Sequence, residues 1–208
     1  MSATLHRAVR LALASLLMVT LLARFAIVMS RAELGILDFF GLFTVVSTLL
    51  AVVMLTMLAW RPERSSSLRF SLFRGAVTVY MSVAAILYLV LLAQTDGAPA
   101  TGEPWIEWTM YLVAPAAVAL DWVLYAPPVD LPQSTPATWL TLPALYLAYA
   151  VGRGAVDDWY PYPFLDPAET GGYPGVAIWV AAALGVVIGL GYGCFWWANR
   201  RMPAPVAA

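Results

Sequence analysis

The chain has 208 residues, 62% of them hydrophobic, with 11 Lys+Arg against 12 Asp+Glu for a formal net charge of −1. Soluble domains are roughly 45–50% apolar and nucleic-acid binders carry a basic footprint, so composition excludes both an ordinary soluble domain and a nucleic-acid partner. Every basic residue except His6 is arginine and the one cysteine is Cys194, which closes lysine Schiff-base chemistry and leaves bis-histidine haem ligation, a zinc cluster and an intramolecular disulfide unsupported; no cofactor and no metal is expected.

Apolar runs of about 20 residues are long enough to cross a hydrocarbon core of roughly 30 Å as helices. In chain order the pattern predicts six spans, at about 8–29, 36–60, 71–94, 109–126, 137–152 and 174–197. The expected fold class is all-α: a polytopic membrane bundle of six helices forming one domain. The length of the first span and its lack of a small-residue cleavage site read as an anchor rather than a signal peptide. The fifth span is short and contains Pro143, which membrane helices tolerate because neighbours satisfy the freed carbonyl. In the sixth, Gly185, Gly189 and Gly193 share a face, a spacing that lets helices approach closely. It is read as packing inside the bundle, with a homodimer face as the alternative. Trp196 and Trp197 beside Arg200 read as an interface anchor.

Arginine placement sets the orientation. Arg7 and Arg10 flank span one, Arg61, Arg64 and Arg69 follow span two, and Arg200 and Arg201 follow span six. The alternate connections are acidic: Glu33 and Asp38; Asp96, Glu103 and Glu107; Asp157, Asp158, Asp166 and Glu169. Arginine retained on the cytoplasmic side places both termini inside. No internal repeat is visible, which argues against an inverted-repeat transporter.

Charges at membrane depth are costly and mark pairing or function. Arg74 and Asp121 fall at similar depth with opposite sign and are expected to form a structural pair. Reversing both charges is then expected to restore folding lost on Asp121→Arg alone. Arg24, near the outer end of span one, has Asp38 and the acids of the last outer connection as candidate partners. It reads either as a snorkelling side chain or as an anchor for a carboxylate or headgroup. Thr44, Ser47 and Thr48 lie three and four residues apart, hence on one side of a helix. Tyr146, Tyr149 and Arg153 form a second polar stripe.

The run 153–167, RGAVDDWYPYPFLDP, falls on the outer surface between spans five and six. Trp159, Tyr160 and Tyr162 suit the headgroup level, and Pro161 and Pro163 prevent a continuous helix. Arg153 with Asp157 or Asp158 is expected to fix this loop over the bundle mouth, above Thr44. Arg24, Arg153, Trp159, Tyr160, Tyr162 and Asp166 make up the expected binding set.

Four segments carry a family resemblance: FFGLFTVVSTLL at 39–50, RGAVTVY at 74–80, LDWVLY at 120–125 and WLTLPALYLAYAVGRGAVDDWYPYPFLDP at 139–167, followed by Gly172 and Tyr173. In this order they resemble the Pr6Pr family of bacterial integral membrane proteins, related to the androgen-induced protein and androgen-dependent TFPI-regulating protein group. The resemblance implies a multi-pass protein of the bacterial plasma membrane. It also implies kinship with six-span hydrolases that cleave fatty acid esters of hydroxy fatty acids with a threonine nucleophile and a histidine. On that resemblance Thr44 falls at the threonine and Tyr111 at the histidine, and Thr48 replaces a family asparagine. A phenol with a pKa near 10 is a poor general base at neutral pH, and His6 is expected on the opposite side of the membrane. The expected function is therefore binding of membrane lipids, a fatty-acid ester among them, or of another membrane protein. The alternative is a lipid hydrolase or acyltransferase using Thr44.

Overall fold

The computed structural model describes residues 3–92 and 101–201. Asp96 and the end of the expected third span lie outside them. Among the described residues the chain is helical and forms no strand. Its helices are α1 (Ala3–Ser30), α2 (Ile36–Phe40), α3 (Phe43–Trp60), α4 (Leu68–Leu87), α5 (Pro104–Trp108), α6 (Ala114–Leu124), α7 (Thr135–Asp157), α8 (Pro167–Thr170) and α9 (Tyr173–Arg200). Among the described residues four stretches are long and apolar enough to cross a membrane: Thr4–Ser30, Phe43–Trp60, Leu68–Val90 and Tyr173–Arg200. α1 lies along α3, and α4 packs against α3, α6, α7 and α9.

Several elements depart from the expected boundaries for local reasons. The stretch expected as one span at 36–60 is two helices. Gly41 closes α2, its N–H bonding back to Leu37 and Asp38 carbonyls, and Leu42 is extended. The expected start at 109 moves back to Pro104, because Pro104 opens α5 with Glu103 as its cap. Pro115 has no N–H and crowds the carbonyl four residues before it, that of Tyr111. The backbone answers with a π turn, Thr109–Val113, in which the Ala114 N–H reaches the Thr109 carbonyl. A second π turn, Tyr88–Leu92, continues α4. The two turns face each other, with the Tyr88 and Tyr111 rings stacked 3.8 Å apart. α7 runs on to Asp157, so the beginning of the outer run is helical rather than loop. Asp158 ends it in the left-handed conformation, φ 53°.

The glycine stripe of α9 faces outward. A side chain at Gly185, Gly189 or Gly193 would meet nothing within 4 Å, which removes the expected packing inside the bundle. Gly75 is a close approach between helices instead. It sits against the indole of Trp139, whose Nε1 donates to the Leu72 carbonyl at 2.8 Å. Trp122 lies edge-on to Trp139 at 5.9 Å and donates to the Cys194 carbonyl. These two buried tryptophans tie α4, α6, α7 and α9 together.

One end of the bundle is basic and tightly networked. Arg74 Nη2 lies 2.8 Å from Asp121 Oδ2 and 2.7 Å from the Asp121 carbonyl. Arg10, expected only as a charged flank, grips Oδ1 of the same carboxylate through Nε at 3.0 Å and Nη2 at 2.8 Å. His6 hydrogen-bonds Tyr125, and the Arg7, Arg200 and Arg201 guanidiniums lie over Trp60, Trp196 and Trp197. The opposite end carries Glu33, Asp38, Asp157, Asp158 and Glu169, with Arg31 paired to Glu33 at 3.5 Å.

Candidate functional site

The Gly41–Leu42 break decides what happens to Thr44. A threonine inside a helix ordinarily hydrogen-bonds the carbonyl one turn back, but Thr44 is the second residue of α3 and has no regular turn before it. Its own carbonyl is taken twice, by the Ser47 hydroxyl at 3.1 Å and the Thr48 hydroxyl at 2.7 Å. Ser47 and Thr48 are thereby spent on backbone. The Thr44 hydroxyl stays buried without a hydrogen bond.

It faces a cavity of about 40 Å³ walled by Phe43, Val83, Leu87, Pro143, Leu147 and Phe164. Two further hydroxyls reach this space, Tyr146 from α7 and Tyr162 from the outer run. Tyr162 Oη lies beside both Thr44 and Tyr146, yet none of the three oxygens meets hydrogen-bond geometry. Buried polar atoms are nearly always paired; these three adjacent hydroxyls, beside one another and the Phe43 and Thr44 backbone, retain hydrogen-bonding capacity for a further polar atom in an otherwise apolar cavity. The space is several times the minimum needed for one water.

Tyr162 was expected at the headgroup level with Trp159 and Tyr160. It is buried instead, as are Phe164 and Leu165, because the proline-rich turn folds inward and wedges its aromatics into the bundle. Burial pushes its phenol up to about 12. The group is therefore a neutral donor at physiological pH. Between pH 10 and 12 an unfolded chain has released this proton while the folded one holds it. The stability it contributes, complete below pH 10, should fall across that window, and Tyr162→Phe should flatten the fall in an alkaline denaturation series.

Behind Tyr162 runs a buried polar column. Tyr111 neighbours both Tyr162 and Arg24, and the Arg24 guanidinium lies 5.8 Å from the Tyr111 ring centre. Arg24 is 1% exposed and pairs with Glu107 at 3.4 Å, not with Asp38 or the outer acids. Enclosure in protein rules out a snorkelling role. Glu107 Oε1 also accepts from the Thr101 N–H at 3.1 Å and hydroxyl at 3.2 Å. Tyr111 does not line the cavity.

The remaining expected residues hold the loop. Asp38 pairs with Arg153, which also reaches Asp157 Oδ2 at 3.5 Å and the Tyr149 hydroxyl at 3.3 Å, and lies over the Trp159 ring at 4.3 Å. Tyr160 packs on Gly154 and lies beside Tyr173. Asp166 caps α8, accepting from the Ala168 N–H at 2.7 Å. These are positioning contacts. Solvent-screened ion pairs contribute little to stability, so Arg153→Gln should leave the denaturation midpoint close to that of the wild type.

The site thus comprises Thr44, Tyr146 and Tyr162. Tyr146 was legible only as part of a polar stripe. Among the described residues no histidine or acid lines the cavity. His6 lies at the far end of α1, hydrogen-bonded to Tyr125 and next to Arg7, whose guanidinium lies over Trp60, and the length of α3 from Trp60 to Thr44 is about 24 Å. The arrangement can donate and accept hydrogen bonds to an uncharged polar group held in an apolar pocket. Among the described residues lining it there is no base to activate Thr44. Orphaned hydroxyls cost about 1–3 kcal/mol each; replacing one by a methyl group, as in Thr44→Val, should raise stability by about 1 kcal/mol, read as a higher Tm in detergent. Searches against known protein families, curated proteins and solved structures find no match for this chain.

Proposed function

We propose that the chain is a six-span bacterial plasma-membrane protein, with both termini cytoplasmic, that binds an acyl lipid with its polar group among Thr44, Tyr146 and Tyr162. The observation that carries this reading is the convergence of three unpaired hydroxyls on one apolar cavity. The α5–α6 unit and α7 supply the two spans beyond the four strongly apolar stretches. The basic end, with Arg7, Arg10, Arg200 and Arg201, then faces the cytoplasm. The Pr6Pr-like motifs fit this placement, since Thr44 and Tyr162 both belong to them. The absence of a base lining the cavity favours binding over hydrolysis.

A second reading, an ester hydrolase or acyltransferase using Thr44, is favoured by the free Thr44 hydroxyl alone. Incubating detergent-purified protein with a fluorophosphonate probe and a fatty-acid ester, beside Thr44→Ala, separates the two. Ester binding without labelling or turnover is expected. Turnover that disappears in Thr44→Ala would replace the first reading by the second.

A further inference from the structure

A groove of about 660 Å³ runs along the outside of the bundle between α2–α3 and α7. Leu37, Phe40 and Val46 form one wall and Tyr146 and Tyr149 the other, with Arg153 and Asp157 at the outer rim. From the helix rise it is roughly 15 Å long, and it is shallow and open along its outer side. Leu37 and Phe40 are exposed.

Tyr146 lines both this groove and the Thr44 cavity. Its ring centre lies 5.1 Å from that of Phe43 and 6.5 Å from that of Tyr162, and its hydroxyl, beside the Phe43 backbone and Tyr162, makes no hydrogen bond of good geometry. One side chain is therefore the partition between the outer groove and the apolar Thr44 cavity. Swinging it about χ1 would join the two.

Charge limits what can pass. At the rim, Arg153 is already shared between Asp38 and Asp157, a local balance of one cation to two carboxylates. Inside, the cavity offers hydroxyls and no cation, and Arg24 behind it is matched by Glu107. A free fatty carboxylate would meet repulsion at the mouth and find no counter-charge within. An ester or alcohol meets neither cost and satisfies the orphan hydroxyls.

We infer that the groove between α2–α3 and α7 is the lateral entrance to the Thr44 cavity, that Tyr146 is its door, and that the occupant is a single-chain amphiphile with an uncharged ester or hydroxyl head. This rests on the lipid-binding reading above and adds the route and the class of head group.

The test is stopped-flow uptake of two pyrene-labelled probes of equal chain length, a monoacylglycerol and a fatty acid, at pH 8 by full-length protein in neutral-lipid nanodiscs. Val46→Trp fills the groove without touching the cavity, and Tyr146→Ala removes the door. With elution volume and Tm showing folded protein, Val46→Trp should slow monoacylglycerol uptake at least tenfold and Tyr146→Ala should speed it. The fatty acid should bind at least tenfold more weakly than the ester. If monoacylglycerol binds, loses affinity in Thr44→Ala, and yet enters Val46→Trp at the wild-type rate, the entrance is wrong while the cavity stands. If the fatty acid binds as tightly as the ester, the charge selection is wrong. If neither probe binds the wild type, the cavity reading fails and the entrance with it.

Discussion

Asp121→Ala should lose about 3–5 kcal/mol, the cost of leaving a buried charge without its partner. The carboxylate holds two guanidiniums at once, Arg74 with a side chain 3% exposed and Arg10 with one 16% exposed. Removing it leaves two like charges facing each other in the low-dielectric interior. The same geometry overturns the expectation that reversing Arg74 and Asp121 together restores folding. An arginine at 121 opposite an aspartate at 74 would still stand against Arg10. The reversed pair should therefore stay poorly folded, and adding Arg10→Glu should recover it, as read by monodisperse yield and Tm in detergent. Arg10→Gln alone should cost less than Asp121→Ala, since Arg74 still neutralises the carboxylate.

The second large effect should come from Gly75. A methyl group there would run into the Trp139 ring, which is pinned by its hydrogen bond to Leu72 and by Trp122 edge-on at 5.9 Å. Overpacking of this kind costs about 1–3 kcal/mol, and Gly75→Ala should fall at the upper end because Trp139 cannot retreat without breaking its hydrogen bond. Trp139→Phe shortens the ring system at the clash. The double variant Gly75→Ala/Trp139→Phe should be less destabilised than the sum of the singles, a coupling that contacting residues show and distant ones do not. Additive losses would mean that Gly75 matters for some other reason.

Much of the fold is legible in the sequence because apolar length alone dictates helices that satisfy their own backbone. Arg74 and Asp121 could be paired from depth and sign. Arg10 could not, because a basic residue at a span edge looks the same whether it faces water or a buried carboxylate. The partner of Arg24 was hidden for a related reason: Glu107 reads as connection until Pro104 is recognised as the start of a helix. The outward glycine stripe of α9 reflects a limit of membrane sequences, where the lipid face is as apolar as the buried face and periodicity does not separate them.

The site was half legible. Thr44 and Tyr162 stand out in the motifs, but Tyr162 was assigned to the interface because a phenol with one apolar body and one polar tip suits headgroups as well as a pocket. Only the inward fold of Pro161–Leu165 decides between the two. The break that deprives Thr44 of a backbone partner lies at Leu42, which is extended while Gly41 keeps a helical conformation, and no residue type at that position announces it.

The most direct test is the equilibrium affinity of a pyrene-labelled monoacylglycerol for the wild type and for Thr44→Ala/Tyr162→Phe. Two hydrogen bonds of about 1 kcal/mol each predict a loss of roughly tenfold or more, accompanied by an unchanged or higher Tm. Equal affinity in the two proteins would contradict the account.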